Sequence, residues 1–495
     1  MSVALDSRRY AKIVIALVVI QAACWVFVPW LLEGSIRADP AEGVVDGPEW
    51  QLSYLRHPPF STWLSGLASM TGPFRYASLF LVGSVLSCAA FAIAAAFVAR
   101  ADRREAGLLT LMAGLASPWA TYIPLAVNHN IGVMPFWALT LLTAWTAFES
   151  GTLAAWACLG LAVGLGLWAK YALLHLVIPL ALAFLVAPEW RRKLRTPGPW
   201  LAGLLGIAII APHCVDVLHK GGTTLSFAVR TAPAPMLLRI GWMIEFIADC
   251  LAAQATMAAI AFVACGRTRL LRAIASMFAR ATITRLDLYL HAAAFGPVLV
   301  IVLAAPLGVQ KHFLWVTPLT VSFAAWWGHA AARAGLAEAS QRLWRFYAAL
   351  AALFVASYVA VRELAPYLPM RLAYAEMDGP ALARLTEAYW AEHEAGPIAY
   401  IVSLDAQHGF QAAGSIVFDL PFRDRARVVQ DDNYYAPWTS VDEIKRRGAL
   451  VVGSAMGPGT TALGVEVQDV AAYPRPTLRG AKSPTIYFGV IPPGS

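Results

Sequence analysis

Nothing constrains the fold of this chain more than the recurrence of long apolar runs. Stretches of roughly 17 to 25 mostly apolar residues, each long enough to cross about 30 Å of hydrocarbon, fall near 13–32, 77–99, 106–125, 131–148, 152–169, 171–187, 200–217, 242–264, 288–306, 313–332 and 343–361. In lipid only helices and closed barrels satisfy every backbone polar group, and runs of this length are helices. The spacing therefore predicts an all-α polytopic membrane protein with about eleven transmembrane helices. Composition agrees: 59% of the 495 residues are hydrophobic and 14% charged, too apolar for a soluble enzyme.

The formal charge is +8, yet Lys and Arg stand in short clusters between the apolar runs rather than along one basic face. They read as topology signals, and no nucleic-acid partner is expected. Arg8, Arg9 and Lys12; Arg100, Arg103 and Arg104; Arg191, Arg192, Lys193 and Arg195; Arg267, Arg269, Arg272, Arg280 and Arg285; and Arg333, Arg342 and Arg345 occupy alternate loops. With an odd number of spans, the amino terminus is expected in the cytoplasm and the carboxyl terminus outside. The first run has a basic start, but its length, Trp25, Phe27 and Trp30, and its lack of a small-residue cleavage site make it an anchor rather than a signal peptide. The six cysteines (Cys24, Cys88, Cys158, Cys214, Cys250, Cys265) lie in or beside the runs with no CxxC pair, which indicates neither a disulfide framework nor a zinc site.

Past about residue 366 the long apolar runs stop and charge rises. DGPALARLTEAYWAEHEAG predicts one helix, with Pro380 in its first turn and Gly396 at its stop. PIAYIVSL follows as a buried strand, and TSVDEIKRRG as a helix with a Ser440-to-Glu443 capping box. ALVVGS, LGVEVQDV and TIYFGVI read as further strands. The chain thus divides into a membrane part, 1–365, with a long first outer loop at 33–75, and a small extracytoplasmic α/β domain at 366–495.

Chemistry is expected where the membrane part breaks its own rules. Outer loops should be poor in cations, and acids beside the bilayer lose solvation. The first outer loop nevertheless holds Arg37, Asp39, Glu42, Asp46, Glu49, Arg56 and His57. Other loops on that face add Asn128, His129 and Asn130; Lys170 and Tyr171; His213, Asp216, Lys220 and Arg230; and Lys311 with His312. If these converge, one cavity holds a carboxylate base and several cations, which suits transfer chemistry on an anionic, membrane-held substrate.

Structural readings stand beside these. Asp39-Pro40-Ala41-Glu42 is also a capping box, with Asp39 as the cap and Pro40 at the first helical position. Arg56-His57-Pro58-Pro59 is also a turn into the next helix. Lys170 at a helix end can snorkel, and Asn128 and Asn130 can satisfy local backbone. The tryptophans Trp25, Trp30, Trp315, Trp326 and Trp327 suit interfacial anchoring.

Asp39-x-x-Glu42, followed by Tyr54, His57-Pro58-Pro59 and Trp63, resembles the bacterial integral-membrane glycosyltransferases of the GT-C class. More narrowly it is similar to the branch that includes protein mannosyltransferases and the aminoarabinose transferases of lipid A. NHNIGVMPFWAL at 128–139, GLAVGLGLWAKYALL at 160–174 and PGPWLAGLLGIAIIAPHCV at 197–215 continue the resemblance, which covers roughly residues 10–330. It implies a GT-C fold in the bacterial inner membrane, with the active site at the periplasmic face. It further implies an inverting transfer from a polyprenyl-phosphate sugar to a glycolipid such as lipid A, a glycan or a protein. Asp39 matches the family's first-loop acid and would be the general base. Lys311, His57, Lys170 and Arg56 would meet the leaving phosphate, and Glu42 would orient the acceptor or hold Arg56. Asn128, Asn130, Tyr171 and His312 would complete the substrate-binding set. Some relatives carry adjacent acids in the first loop and another acid in the second outer loop. Here the acids are spaced Asp-x-x-Glu and the second loop offers Asn128 and Asn130, amides that bind sugar hydroxyls but cannot act as bases. No cofactor or divalent metal is indicated. The α/β domain is expected to cover the site or help bind the acceptor.

The rival function is a transporter or flippase of lipid-linked substrates. That class favours repeated halves and charges buried inside spans; here the polar residues gather in loops and no repeat is visible.

Overall fold

The computed structural model describes residues 5–228, 234–308, 313–335, 341–364, 377–404, 408–421, 426–431, 439–478 and 484–495. Among the described residues the elements before residue 365 are all helices: α1 (Ser7–Leu32), α2 (Ala38–Asp46), α3 (Phe60–Ser69), α4 (Arg75–Ala101), α5 (Arg104–Leu115), α6 (His129–Ser150), α7 (Leu153–Ala169), α8 (Leu174–Val186), α9 (Pro188–Arg191) and α10 (Pro197–His219). Then come α11 (Thr223–Ala228), α12 (Met236–Ala253), α13 (Ala255–Cys265), α14 (Arg267–Phe278), α15 (Arg285–Ala304), α16 (Val316–Arg333) and α17 (Gln341–Leu364).

Among the described residues, seven helical segments are long and apolar enough to cross a membrane, or nine if two bent pairs each count as one span. The pairs bend by 84° after Leu115 and by 94° after Val186, where Pro118 and Pro188 stand at the breaks and prolines cannot continue the hydrogen-bond ladder. The expected eleven is corrected to seven to nine by two helices. α7 has only 17 residues. α16 carries Thr317, Thr320, Ser322 and His329, all buried, and packs against α4, α5, α6 and α15. Such polarity is tolerated because the helix faces protein rather than lipid.

Small residues set the closest approach. A Cβ on Gly160 of α7 would lie 2.6 Å from the Ala202 carbonyl oxygen of α10, and one on Gly164 would lie 2.8 Å from Ile209 Cβ, the small-residue contact that lets membrane helices pack backbone to backbone. Three large buried side chains pair their polar tips across helices: Trp137 Nε1 donates to Ser322 Oγ (2.8 Å), Trp190 Nε1 to Glu149 Oε1 (2.8 Å) and Tyr289 Oη to the Leu141 carbonyl (2.6 Å).

At the end of the bundle opposite the first loop, His329 bridges Asp102 (2.7 Å) and Asp287 (3.0 Å), and Arg333 Nη1 donates to Asp287 Oδ2 at 2.5 Å. Thr284 and Asp287 form a reciprocal capping box at the start of α15. The network joins the α4–α5 turn to α15 and α16.

The C-terminal region is a mixed α/β unit. It comprises α18 (Gly379–His393), β1 (Tyr400–Ser403), α19 (His408–Asp419), β2 (Arg427–Gln430), α20 (Val441–Arg447), β3 (Ala449–Gly453), β4 (Thr461–Ala462), β5 (Val465–Glu466), β6 (Gln468–Pro474) and β7 (Thr485–Ile491). A five-stranded sheet has the order β2-β1-β3-β7-β6; β1 is parallel to β2 and β3, while β7 is antiparallel to β3 and β6. Alternate residues of β1 and β3 face opposite sides. Ile401, Leu450 and Val452 pack with α18 and α19, whereas Tyr400, Val402 and Val451 pack with Ile444 of α20, as the strand period of two requires. Both expected helices form. Asp378 caps α18 by accepting from Ala381 N, and Ser440 Oγ accepts from Glu443 N. The expected boundary at 365/366 falls outside the described residues.

Candidate active site

The first loop turns back on itself through α2 and α3. Their contact needs glycine: a Cβ on Gly47 would meet Thr62 O at 2.5 Å and Gly66 Cα at 2.6 Å. Pro40 and Ala41 are buried while Asp39 is exposed, so α2 presents its acids to one side. Asp39 and Glu42 share that side, separated by about one turn.

The capping box expected from Asp39 to Glu42 is not formed. Arg37 is the N-cap of α2, no side chain caps it, and Asp39 lies inside the first turn. Its Oδ2 accepts a hydrogen bond from Asn128 Nδ2 at 2.9 Å. A partner 89 residues away in sequence, delivered by the bundle, has taken the carboxylate that a local reading assigns to the helix end.

Asn128 is itself fixed. As N-cap of α6, it accepts from the backbone N–H groups of Asn130 (2.9 Å) and Ile131 (3.2 Å) with Oδ1, the usual work of an N-cap amide. That leaves Nδ2 aimed at Asp39. Asn130 Oδ1 accepts from Lys170 Nζ at 2.6 Å. Lys170 occupies the single-residue break after α7. Burial lowers its pKa to about 8, and the Asp39 carboxylate opposes that shift. Asp39, Asn128, Asn130 and Lys170 therefore form one connected set, each at a helix end on the same face of the bundle.

Beside it, Arg56 Nη1 lies 3.4 Å from Glu42 Oε2, and its guanidinium stands 6.0 Å from the centre of the Phe227 ring. Burial raises the Glu42 pKa, and Arg56 partly offsets that rise. Asp46 is pushed well above the usual carboxylate range by burial and then by Glu42. The His57 ring lies 4.1 Å from that of His129. Burial, then His129, Lys170 and Arg56, hold His57 well below the ordinary imidazole value. These neighbours disfavour the charged form of the ring that a cation for the leaving phosphate would need.

Tyr171 lies apart from this set. Its hydroxyl is 2.5 Å from His213 Nε2, and His213 Nδ1 is 2.7 Å from the Leu52 carbonyl. Lys220 Nζ donates to Asp216 Oδ2 (2.8 Å), Gln51 Oε1 (3.0 Å) and the Ser53 carbonyl (3.0 Å), while Ser53 Oγ donates to Asp216 Oδ2 (2.6 Å). Tyr171, His213, Asp216 and Lys220 brace the first loop at 51–54. Phe227, Gln51 and Ser53 escaped the sequence reading; an aromatic in an apolar stretch and two small polar residues carry no signal of their own. Lys311, His312 and Arg230 lie outside the described residues.

Running away from Lys170, α6, α7, α8 and α10 enclose an apolar groove of about 420 Å³, lined among others by Leu159, Val163, Leu167, Val177, Leu180 and Ile207. Among the described residues no group of three or more His, Cys, Asp or Glu side chains is placed to hold a metal ion.

Residues 56–215 match the family model described as dolichyl-phosphate-mannose-protein mannosyltransferase. That segment includes Arg56, His57, Asn128, Asn130, Lys170 and Tyr171 but not Asp39. The fold is similar to that of ArnT from Cupriavidus metallidurans bound to undecaprenyl phosphate, with a TM-score of 0.63 and 13% identity over 98% of this chain and 99% of that one. Against the same protein in the apo state the TM-score is 0.60 at 12% identity, over 97% and 98% of the two chains. At such identities the likeness is one of fold. No curated protein matches the chain in sequence.

Proposed function

Taking the chain as an integral-membrane glycosyltransferase of the GT-C class, related to the protein mannosyltransferases and to ArnT, we propose that it moves a sugar from a polyprenyl phosphate to a nucleophilic acceptor. The transfer takes place at the extracytoplasmic face of a bacterial inner membrane. The observation that carries this reading is the connected set of Asp39, Asn128, Asn130 and Lys170: a solvent-reached carboxylate held in place by an amide, with a half-buried ammonium next along the chain of bonds.

The acceptor hydroxyl or amine attacks the anomeric carbon while Asp39 takes its proton. The bond from that carbon to the phosphate oxygen breaks, and the configuration inverts. The electron pair leaves with the polyprenyl phosphate, whose added charge needs cations set in advance. Lys170 and Arg56 are the described candidates, and Lys311 remains a candidate from the sequence. His57 lies beside His129 at the edge of this set, and Glu42 holds Arg56. The apolar groove supports the donor assignment, since Leu167 of its lining lies one turn before Lys170 and a polyprenyl tail needs such a wall. ArnT is known bound to undecaprenyl phosphate, which supports the same donor class here; the acceptor is a glycolipid such as lipid A, a glycan or a protein.

The test is turnover of purified protein with a panel of polyprenyl-phosphate sugars and envelope acceptors. Asp39→Asn should lower kcat by about 10²-fold or more, with unchanged melting temperature and with donor still stabilising the fold. Near-normal turnover in that variant removes Asp39 from the role of base. A wild-type protein that binds a donor yet transfers its sugar to none of an adequate panel of acceptors argues for the transporter instead.

A further inference from the structure

The C-terminal α/β region touches the first loop at the one helix that carries the base. Within α2, Ala41 lies about 200° around the axis from Asp39 at the α-helical rise, so the two residues point to nearly opposite sides. The Ala41 side meets α19. A Cβ on Gly414 would lie 2.8 Å from Ala41 Cβ, so the backbone of α19 rests directly against α2. Phe418 of α19 packs in one apolar cluster with Ile36, Ala41 and Val44, and Val45 packs against the core of the α/β region.

Polar ties bracket the same stretch. Gly379 N donates to the Gly34 carbonyl at 2.8 Å, Gln411 Nε2 donates to the Ile36 carbonyl at 2.9 Å, and Arg427 Nε lies 3.1 Å from Glu49 Oε1. These partners come from α18, α19 and β2, three different elements of the α/β unit. The C-terminal end of α19 is anchored in turn to the bundle. The buried Asp419 carboxylate accepts from Arg75 Nη2 (2.8 Å) and Tyr76 Oη (2.8 Å) at the start of α4.

We propose that the α/β region is a positioning element for catalysis: α19, through Gly414 and Gln411, sets the distance and rotation of α2 and so aims the Asp39 carboxylate. The inference rests on the reading of Asp39 as the base. Gln411 and Gly414 touch neither substrate nor reacting atoms; they act through α2. A nine-residue helix has too few internal hydrogen bonds to hold itself, and its bearing must come from what packs on it. The Asn128 bond holds the carboxylate from the site side, and α19 holds the helix from behind.

Two variants test it in the full-length protein. Gly414→Ala pushes α2 away by adding one methyl at a 2.8 Å approach. Gln411→Met removes the bond to the Ile36 carbonyl at similar volume. Both should lower kcat about tenfold or more, since sub-ångström misplacement of a reacting group is costly. Donor KM should stay within about twofold, and backbone hydrogen exchange should rise in a peptide spanning 38–46 with melting temperature lowered by only a few degrees. Unchanged kcat in both variants overturns the proposal, as does a loss of kcat, donor binding and melting temperature together, which marks a purely structural contact. If the wild type transfers no sugar, the transferase reading fails. Hydrogen exchange still decides whether α19 sets α2: exchange at 38–46 that is unmoved in both variants overturns the brace on its own.

Discussion

Replacing Asn128 by Asp separates two jobs that one side chain performs. The native amide caps α6 with Oδ1 and holds Asp39 with Nδ2. Aspartate is as good an N-cap as asparagine, so α6 should start where it does now and the protein should fold. The donor to Asp39, however, becomes a second carboxylate at the place where the two groups are now 2.9 Å apart. At a separation of about 4 Å and an effective dielectric of about 20, two like charges repel by ~4 kcal/mol. Asp39 is reached by solvent, so screening removes roughly half of that. The remainder corresponds to a rise of about 1–2 pKa units for the pair, which titrates as one system. A base is useful only when deprotonated, so the acid limb of the kcat/KM profile should move up by about 1–2 pH units. At neutral pH the loss should be small, and near pH 5 it should be large. Profiles of wild type and variant between pH 4.5 and 9 give the answer. An acid limb that stays in place in a folded variant refutes the pairing of Asn128 with the catalytic carboxylate.

Three further outcomes follow from other contacts. Lys170, lowered to about 8, is charged below that value and loses its proton as pH rises through it; wild-type kcat/KM should therefore fall above about pH 8, and Lys170→Met should lower the plateau and abolish that alkaline limb. Asp287→Ala leaves Arg333 and His329 without a shared carboxylate, which should cost about 3–5 kcal/mol and appear as a clear drop in melting temperature, while turnover per folded molecule is kept. Gly47→Val drives a side chain into Thr62 O and Gly66 Cα; α2 and α3 must part at a cost of about 1–3 kcal/mol, measured as lower thermal stability and faster proteolysis of the first loop.

Among the described residues, each helical segment long and apolar enough to cross a membrane falls on one of the apolar runs, because a lipid-exposed wall demands apolar residues along it. What they could not disclose is which runs are true spans. The run at 313–332 is long enough to read as a span, but α16 carries Thr317, Thr320, Ser322 and His329 and falls outside the set apolar enough to cross, and the bends after Leu115 and Val186 split two other runs. In the α/β region, β1 and β3 were plain as short apolar runs, whereas α19 was missed. Its segment HGFQAAGSIVFD has one acid and no Lys or Arg, so it lacks the polar stripe by which a surface helix is recognised. That lack has a cause in the fold: α19 is covered by the sheet on one side and by α2 on another.

The candidate site shows the same division between position and pairing. Asn128 is the N-cap of α6, Lys170 the C-cap of α7, and Asp39 sits in the first turn of α2. Breaks between apolar runs are where charged and amide residues stand out, so the polar residues at those ends were found together. Their partners were not, because local rules give each of them a partner at hand: Glu42 within the same turn for Asp39, and nearby backbone for Asn128. Asn128 indeed takes its backbone partners and still reaches Asp39 across 89 residues of sequence. Asp39 forgoes its local cap entirely. A carboxylate that gives up the nearest way to be satisfied, and is held instead by an amide that already has its own backbone partners, is held for its direction. Direction is what a general base requires, and under the proposed role of Asp39 it accounts for α2, short and without a side-chain cap, being packed on its other side by α19.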